Sequence, residues 1–260
     1  MKNQTKRKVK AKPKRKVRSS FIAIISIFLL SVFAILSVTV LFPVENVKIK
    51  DAEKTKYSQN EIISASGIRI GENMIVLSSS SVESRITEAL PYIGSCKIGK
   101  SLVGTITLTP KATKPQYCIK DGEAYWLVND EFKALEKIKK AKRKYINITG
   151  AKFKEVAVGK TIEFKDGDKL DCINTVLDIL DESNITINKI NVKNLSSLEI
   201  TVNSKFKVKV GTVQSLEKKL LYLLEMIKEI EKKNEKDTGT INLVYFDKTK
   251  EGIFKREAIE

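Results

Sequence analysis

The stretch "YSQNEIISASGIRIG", residues 57–71, decides how the middle of this 260-residue chain is read. Ser58 and Glu61 stand at capping-box spacing, in which hydroxyl and carboxylate each satisfy a backbone N–H left without a partner at a helix start. Ile62, Ile63 and Ala65 supply an apolar face behind them. Gly67 is a natural stop, because glycine takes the left-handed conformation that ends many helices. A second box, Ser80 with Glu83, opens another helix through Val82, Ile86, Ala89 and Leu90, which Pro91 ends.

Working outward, "VENVKI" (44–49) alternates apolar and polar residues as a strand does, and "YIGSCKI" (92–98) and "TITLT" (105–109) read as two more. Strand, helix, helix, strand, strand predicts a compact α+β unit whose two helices cover one face of a small sheet. Residues 116–250 differ. "AYWLV" (124–128), "YINIT" (145–149), "KINVK" (189–193), "LEITV" (198–202), "KFKVKVG" (205–211) and "INLVYF" (241–246) read as short strands. Two helices interrupt them, at 168–181 with Leu170, Ile173, Val176, Leu177 and Leu180, and at 215–234 with Leu216, Leu220, Leu223, Leu224, Ile227 and Ile230. Both stripes are expected to pack on a sheet. Residues 251–260, ending "KREAIE", show no periodicity and are expected to be a tail.

Upstream, residues 21–42 carry no charge and Pro43 follows. At helical rise they span about 33 Å, enough for a bilayer core and longer than the apolar region of a signal peptide. The first 20 residues hold ten Lys/Arg and no acid, against Lys48 and Lys50 facing Glu45, Asp51 and Glu53 on the far flank. The positive-inside rule then keeps residues 1–20 in the cytoplasm and puts the chain beyond residue 42 outside. The basic tail also touches anionic lipid. Nucleic-acid binding is not expected, since no groove-reading module accompanies the charge. The net charge of +17 (48 minus 31) falls to +7 (38 minus 31) once the tail is removed, a mildly basic exterior.

The residues argue against an enzyme. There is no histidine, which removes imidazole-activated nucleophiles and the usual imidazole zinc sites. Ser-x-x-Lys occurs at Ser204–Lys207 and Ser215–Lys218, without Ser-Asp-Asn or Lys-Thr-Gly, and Ser204 falls in an expected strand. Asp178, Asp181 and Glu182 read as the solvated side of a helix, and no glycine-rich phosphate loop is present. No catalytic residue, metal or cofactor is expected. Cys96, Cys118 and Cys172 lie far apart and read as small buried hydrophobes, with a disulfide between one pair left open.

This order of parts resembles the FtsQ/DivIB family of bacterial cell-division proteins over nearly the whole chain. The resemblance is carried by "VENVKIK", "YSQNEIISASGIRIGENMI", "VESRITEALPYIGSCKIGKSLVGTITLTPKATKP", "ITINKINV" before "SLEITVNSKFKVKVG", and "LEKKLLYLLEMI" running into "TGTINLVYF". Its most telling points are Ser58-x-x-Glu61, Gly67 with Gly71 and Asn73, and Leu90-Pro91-Tyr92-Ile93. Ala112-Thr113-Lys114-Pro115 and Val103 depart from the family pattern, which often has Glu-Arg before the first of these prolines and a proline at the second place.

The resemblance implies an α+β architecture: a cytoplasmic tail (1–20), one transmembrane helix (21–42), a POTRA domain of βααββ order (43–115), a β-rich domain with two helices (116–250) and a tail (251–260). It implies a non-enzymatic scaffold at the division septum, single-pass in the cell membrane, joining coiled-coil partners of the FtsB/DivIC and FtsL kind to help position and regulate septal peptidoglycan synthesis. A membrane-anchored POTRA-type chaperone or binding module is the alternative, and a cell-wall enzyme a third. The resemblance places Tyr245 at the family's partner-contacting tyrosine. The expected contact set is Leu243 and Tyr245, with Ile253 and Phe254 on the following strand, because a late strand can offer its edge to an incoming chain. The competing reading has Leu243 and Tyr245 facing the core.

Overall fold

The computed structural model describes residues 19–183 and 185–257, and within the first helix the side chains of 21–33. Helix α1 (Ser19–Leu41) has no charged residue. Phe21, Ile24, Ile27, Phe28, Leu30 and Phe33 are all more than half exposed, so the described part of α1 is apolar on every side and packed on none. Among the residues whose side chains are described, no helix is long and apolar enough to cross a membrane. For α1 that stretch is shorter than a span, although its backbone reaches about 34 Å. The basic tail expected at 1–20 lies outside the described residues except for the backbone of 19–20.

Beyond α1 stand β1 (Asn46–Ile49), α2 (Gln59–Ser66), α3 (Ser79–Ala89), β2 (Ile93–Lys100) and β3 (Thr105–Ala112). The sheet order is β1-β3-β2, with β1 parallel and β2 antiparallel to the central β3. This is the expected strand, helix, helix, strand, strand unit. The Ser58–Glu61 capping box is complete, and Gly67 ends α2 in the left-handed region (φ 64). Ile62, Val82 and Ile86 of the helices close over Ile93, Cys96, Ile106 and Leu108 of the sheet. The second helix differs from the expectation. Ser78 caps α3 by accepting from Ser81 N–H, so it begins before Ser80. Glu83, freed from a capping role, accepts from the backbone N–H of Cys96 (3.0 Å) and ties α3 to β2.

The remainder builds β4 (Tyr117–Asp121), β5 (Ala124–Val128), β6 (Ala134–Ile138), β7 (Ile146–Thr149), β8 (Phe153–Glu155), β9 (Glu163–Phe164), α4 (Gly167–Asp181), β10 (Ile187–Asn191), β11 (Leu198–Val202), β12 (Phe206–Gly211), α5 (Leu216–Lys233), β13 (Thr238–Asn242), α6 (Phe246–Thr249) and β14 (Ile253–Glu257). Strands β8 and β9 pair with each other, and the rest form one sheet in the order β14-β13-β12-β11-β10-β7-β4-β5-β6. Two of its parallel pairs, β7 with β10 and β12 with β13, need crossovers, and α4 and α5 supply them. Both helices lie against one face, where Ile173, Val176, Leu180, Leu220, Leu223 and Ile227 meet Ile190, Ile200, Val208 and Ile241. The opposite face of the last strands is polar: Glu199, Lys207, Lys209 and Lys255 are exposed.

Three expectations are corrected here. Strand β14 occupies much of the expected 251–260 tail: its Lys255, Arg256 and Glu257 pair with Thr240, Gly239 and Thr238. "INLVYF" is a strand only as far as Asn242, then turns into α6. Ser204 lies in the β11–β12 turn with φ 56 rather than in a strand. All three cysteines are buried and free. Burial pushes the Cys96 and Cys172 thiols up to about 11.

The two folded parts meet through one buried lysine. Lys133, just before β6, is 6 % exposed. Its Nζ donates to the carbonyl of Thr87 (2.6 Å) and to that of Ile93 (2.7 Å). Thr87 belongs to the last turn of α3, where carbonyls lack intrahelical partners and the helix dipole favours a cation. Around it, Tyr92 donates to Glu136 (2.8 Å) and carries the Lys56 ammonium over its ring (3.1 Å). Asn129 donates to Thr113 (3.2 Å). Gly159, at φ +89, lies so close to α3 that a Cβ there would collide with the carbonyl of Glu88.

Desolvation pulls the Lys133 ammonium down to about 8 from its ordinary 10.5, opposed by Glu131 and Glu88. The unfolded chain therefore binds this proton more tightly than the folded one, and stability rises with pH between those two values. Replacing Lys133 by Met should flatten that rise, as read from denaturant midpoints at a series of pH values across the interval. An unchanged slope would place Lys133 in water.

Candidate partner interface

The exposed end of the large sheet is β14. At the other end, Ala134 of β6 exchanges hydrogen bonds with Lys160 (2.9 Å) and Gly159 (2.8 Å), so that edge is partly covered. Among the described residues no strand lies beyond β14. Its outer backbone faces water, as a strand-adding partner requires.

The approach to β14 is built with care. Gly239 of β13 has no room for a side chain, because a Cβ there would meet the carbonyl of Lys255. Asp237, 4 % exposed, accepts from Arg256 (2.6 Å) and from Asn234 (2.8 Å), clipping β14 to the start of β13. Between the strands the chain makes the turn of α6, with Tyr245 at its N-cap. Phe246 of α6 packs on Tyr222 of α5, ring centroids 5.0 Å apart. Gly252 then passes over Met226 and Leu243 so closely that a Cβ there would have to displace the ends of their side chains.

An ion pair fixes this turn. Lys219 of α5 is fully buried, and its Nζ reaches Asp247 of α6 at 2.7 Å and the carbonyl of Thr212 at 2.9 Å. The hydrogen bond from Lys219 holds the Asp247 carboxyl below the usual carboxylate range. Its stabilisation is thus present above the unfolded pKa and lost as pH falls through the folded one.

The four expected contact residues separate. Leu243 is fully buried and belongs to the core. Tyr245 is 62 % exposed, with Val244 beside it, and Ile253 on the polar face of β14 is 66 % exposed. Phe254 points the other way and packs edge-on against Phe206 at 6.0 Å. Tyr245 and Ile253 thus reach solvent, while Leu243 and Phe254 lie beneath them. Lys219 and Asp247, which hold Tyr245 in place, were not singled out from sequence, and a buried lysine in a helix with four other lysines gives no local signal.

Residues 42–109 match the model of the POTRA domain, FtsQ-type. The similarity does not stop there. A cell division protein DivIB of Clostridium botulinum (strain Hall) is 27% identical over 241 residues, covering 91% of this chain and 92% of the relative. The chain is similar to the FtsQ/DivIB proteins along its length. A DivIB of a second C. botulinum strain, Loch Maree, matches to the same extent, and one from C. tetani is 25% identical over 226 residues, 85% of this chain and 83% of the relative. Similarity to FtsQ/DivIB is what the capping box, the two helices and the "LPYI" turn implied.

Removing the anion should expose what it does. Asp247→Asn leaves the Lys219 ammonium buried without its counter-charge, and should lower stability by about 3 kcal/mol, as for other broken buried pairs. Lys219→Met in the same chain should recover much of the loss, measured by chemical denaturation of the single and double variants.

Proposed function

We propose that this protein is a membrane-anchored, non-enzymatic scaffold of the bacterial division machinery, with α1 as its single span and the β14 end as its partner-binding edge. The observation that carries the reading is the uncovered β14 backbone flanked by exposed Tyr245 and Ile253, in a chain related along its length to cell division proteins. The partner is an extended segment of a coiled-coil protein of the FtsB/DivIC or FtsL kind. It takes affinity from the backbone ladder and specificity from alternate side chains. The division of the chain into an anchor at 21–42, a POTRA domain at 43–115 and a β domain from 116 belongs to this reading, with β14 added to the β domain. So does a cytoplasmic basic tail that sets orientation and meets anionic lipid.

Tyr245→Ala should weaken binding of such a partner by about 2 kcal/mol, as aromatic anchors do, with the melting temperature nearly unchanged. Equal affinity in a folded variant would remove Tyr245 from the contact. Orientation has its own test. Protease added outside intact cells should digest the folded domains and spare the tail, and protection of those domains would invert the topology.

A further inference from the structure

The POTRA domain carries an exposed apolar group that its fold does not use. Ile70, Ile75, Val76, Leu102 and Val103 are between 51 and 86 % exposed. They come from two places far apart in sequence, the loop after α2 and the tip of the β2–β3 hairpin. Their neighbours Ile68 and Met74 turn inward and are buried, so the outward residues are not loose ends of the core. Five large apolar side chains at loop tips, where polar residues are the rule, mark a surface meant for contact.

Both loops are strapped to the short segment that leaves α1. Met74 N–H donates to the carbonyl of Phe42 (2.9 Å), one residue after the helix ends. Val44 donates to Glu72 (2.8 Å), Gly71 donates back to Val44 (2.8 Å), and Pro43 bridges Asn73. On the other side, Glu45 and Asn46 both donate to the carbonyl of Gly104 (2.7 and 3.2 Å). Register agrees, since parallel pairing sets Asn46 beside Thr105 and brings the hairpin tip level with the start of β1. Lys100 at the hairpin stem donates to the carbonyl of Leu77, joining the two loops. Within the first loop, the Asn73 side chain accepts from Ile75 (2.8 Å) and Val76 (3.2 Å) and fixes the turn that presents them.

We infer that these five residues form a collar around the exit of α1 that seats the POTRA domain in the interfacial layer of the bilayer. The inference rests on α1 being a membrane span. The occupant is lipid because the chain runs from α1 directly into the segment that straps the collar loops, and the described part of α1, residues 21–33, is apolar on every side. The strapping hydrogen bonds tie the first loop to residues one to three beyond the helix end, and the hairpin tip to residues four and five beyond it. Exposed Arg69 and Lys100 stand beside the apolar residues, with Glu45 and Glu72 on the strap itself, and cations beside apolar groups suit an anionic headgroup layer. The domain is then held by the membrane directly as well as through its tether.

The test uses the full chain reconstituted into phosphatidylethanolamine–phosphatidylglycerol vesicles, with tryptophan placed at Leu102 or Val76 and quenching by brominated lipid as the readout. The chain's own Trp126 is buried in the β domain, so the unsubstituted protein supplies the baseline, and Leu221→Trp on exposed α5 is the distant control. Leu102→Trp and Val76→Trp should emit to the blue of the control and lose fluorescence to lipids brominated high on the acyl chain. Phe28→Trp in α1 should lose it to lipids brominated near the chain ends. Phe28→Trp quenched with both collar tryptophans unquenched overturns the collar and leaves the span intact. Phe28→Trp unquenched removes the span and the collar with it. A blue shift at Leu102→Trp that follows protein density and resists brominated lipid gives the collar to a second copy of the chain, and overturns the inference.

Discussion

Two parallel pairings govern the large domain. A chain cannot join β7 to β10, or β12 to β13, side by side and in the same direction without crossing over the sheet, and each crossover here is a helix. Because both crossovers fall on one side, α4 and α5 share a single core with the inner residues of β10 to β13. The outer face is thereby left to lysines, threonines and glutamates, and among the described residues the last strand is left with no neighbour on its outer side. The α5 crossover also brings Lys219 to Asp247, so the same constraint that covers one face positions the turn bearing Tyr245.

The two buried lysines solve one problem in different ways. Lys219 meets a carboxylate and a carbonyl, and stays an ion pair at the foot of α6. Lys133 meets only carbonyls, at the end of α3 and the start of β2, and desolvation lowers the pKa of its ammonium. Moving an ammonium out of water without a counter-ion is costly, and the partial charges at a helix C-terminus offset part of that cost. Each lysine joins elements distant in sequence, and neither site tolerates loss of its partners without leaving a charge stranded.

The POTRA unit was legible because its signals are local. Ser58 with Glu61, Gly67, and the alternation of residues 105–109 each act within a few residues. Where several local signals competed, reading by pattern slipped. Four consecutive serines offered four caps for α3, and Glu83 was drawn away by Cys96. "INLVYF" alternates like a strand, but Leu243 is carried into the core by a turn and Tyr245 out of it, so the expected contact set divided. Strand β14 was read at Ile253 and Phe254 but its charged end was assigned to a tail, because edge strands carry charged residues that blunt aggregation, and "KRE" resembles a tail for the same reason. Lys133, Lys219 and the collar depend on elements brought together only by folding.

The close approach of Gly159 to Glu88, beside the Lys133 contact, has a mechanical consequence. Two domains joined only by a tether would drift in height, and anything bound to one would drift with it. Here a glycine pressed on a helix end and a lysine driven between two carbonyls make a splice rather than a hinge. The splice works as a ruler. The distance of β14 from the last turn of α1 is then set by the two domains together, and in the function proposed above that distance would fix the elevation at which a partner from the same bilayer docks.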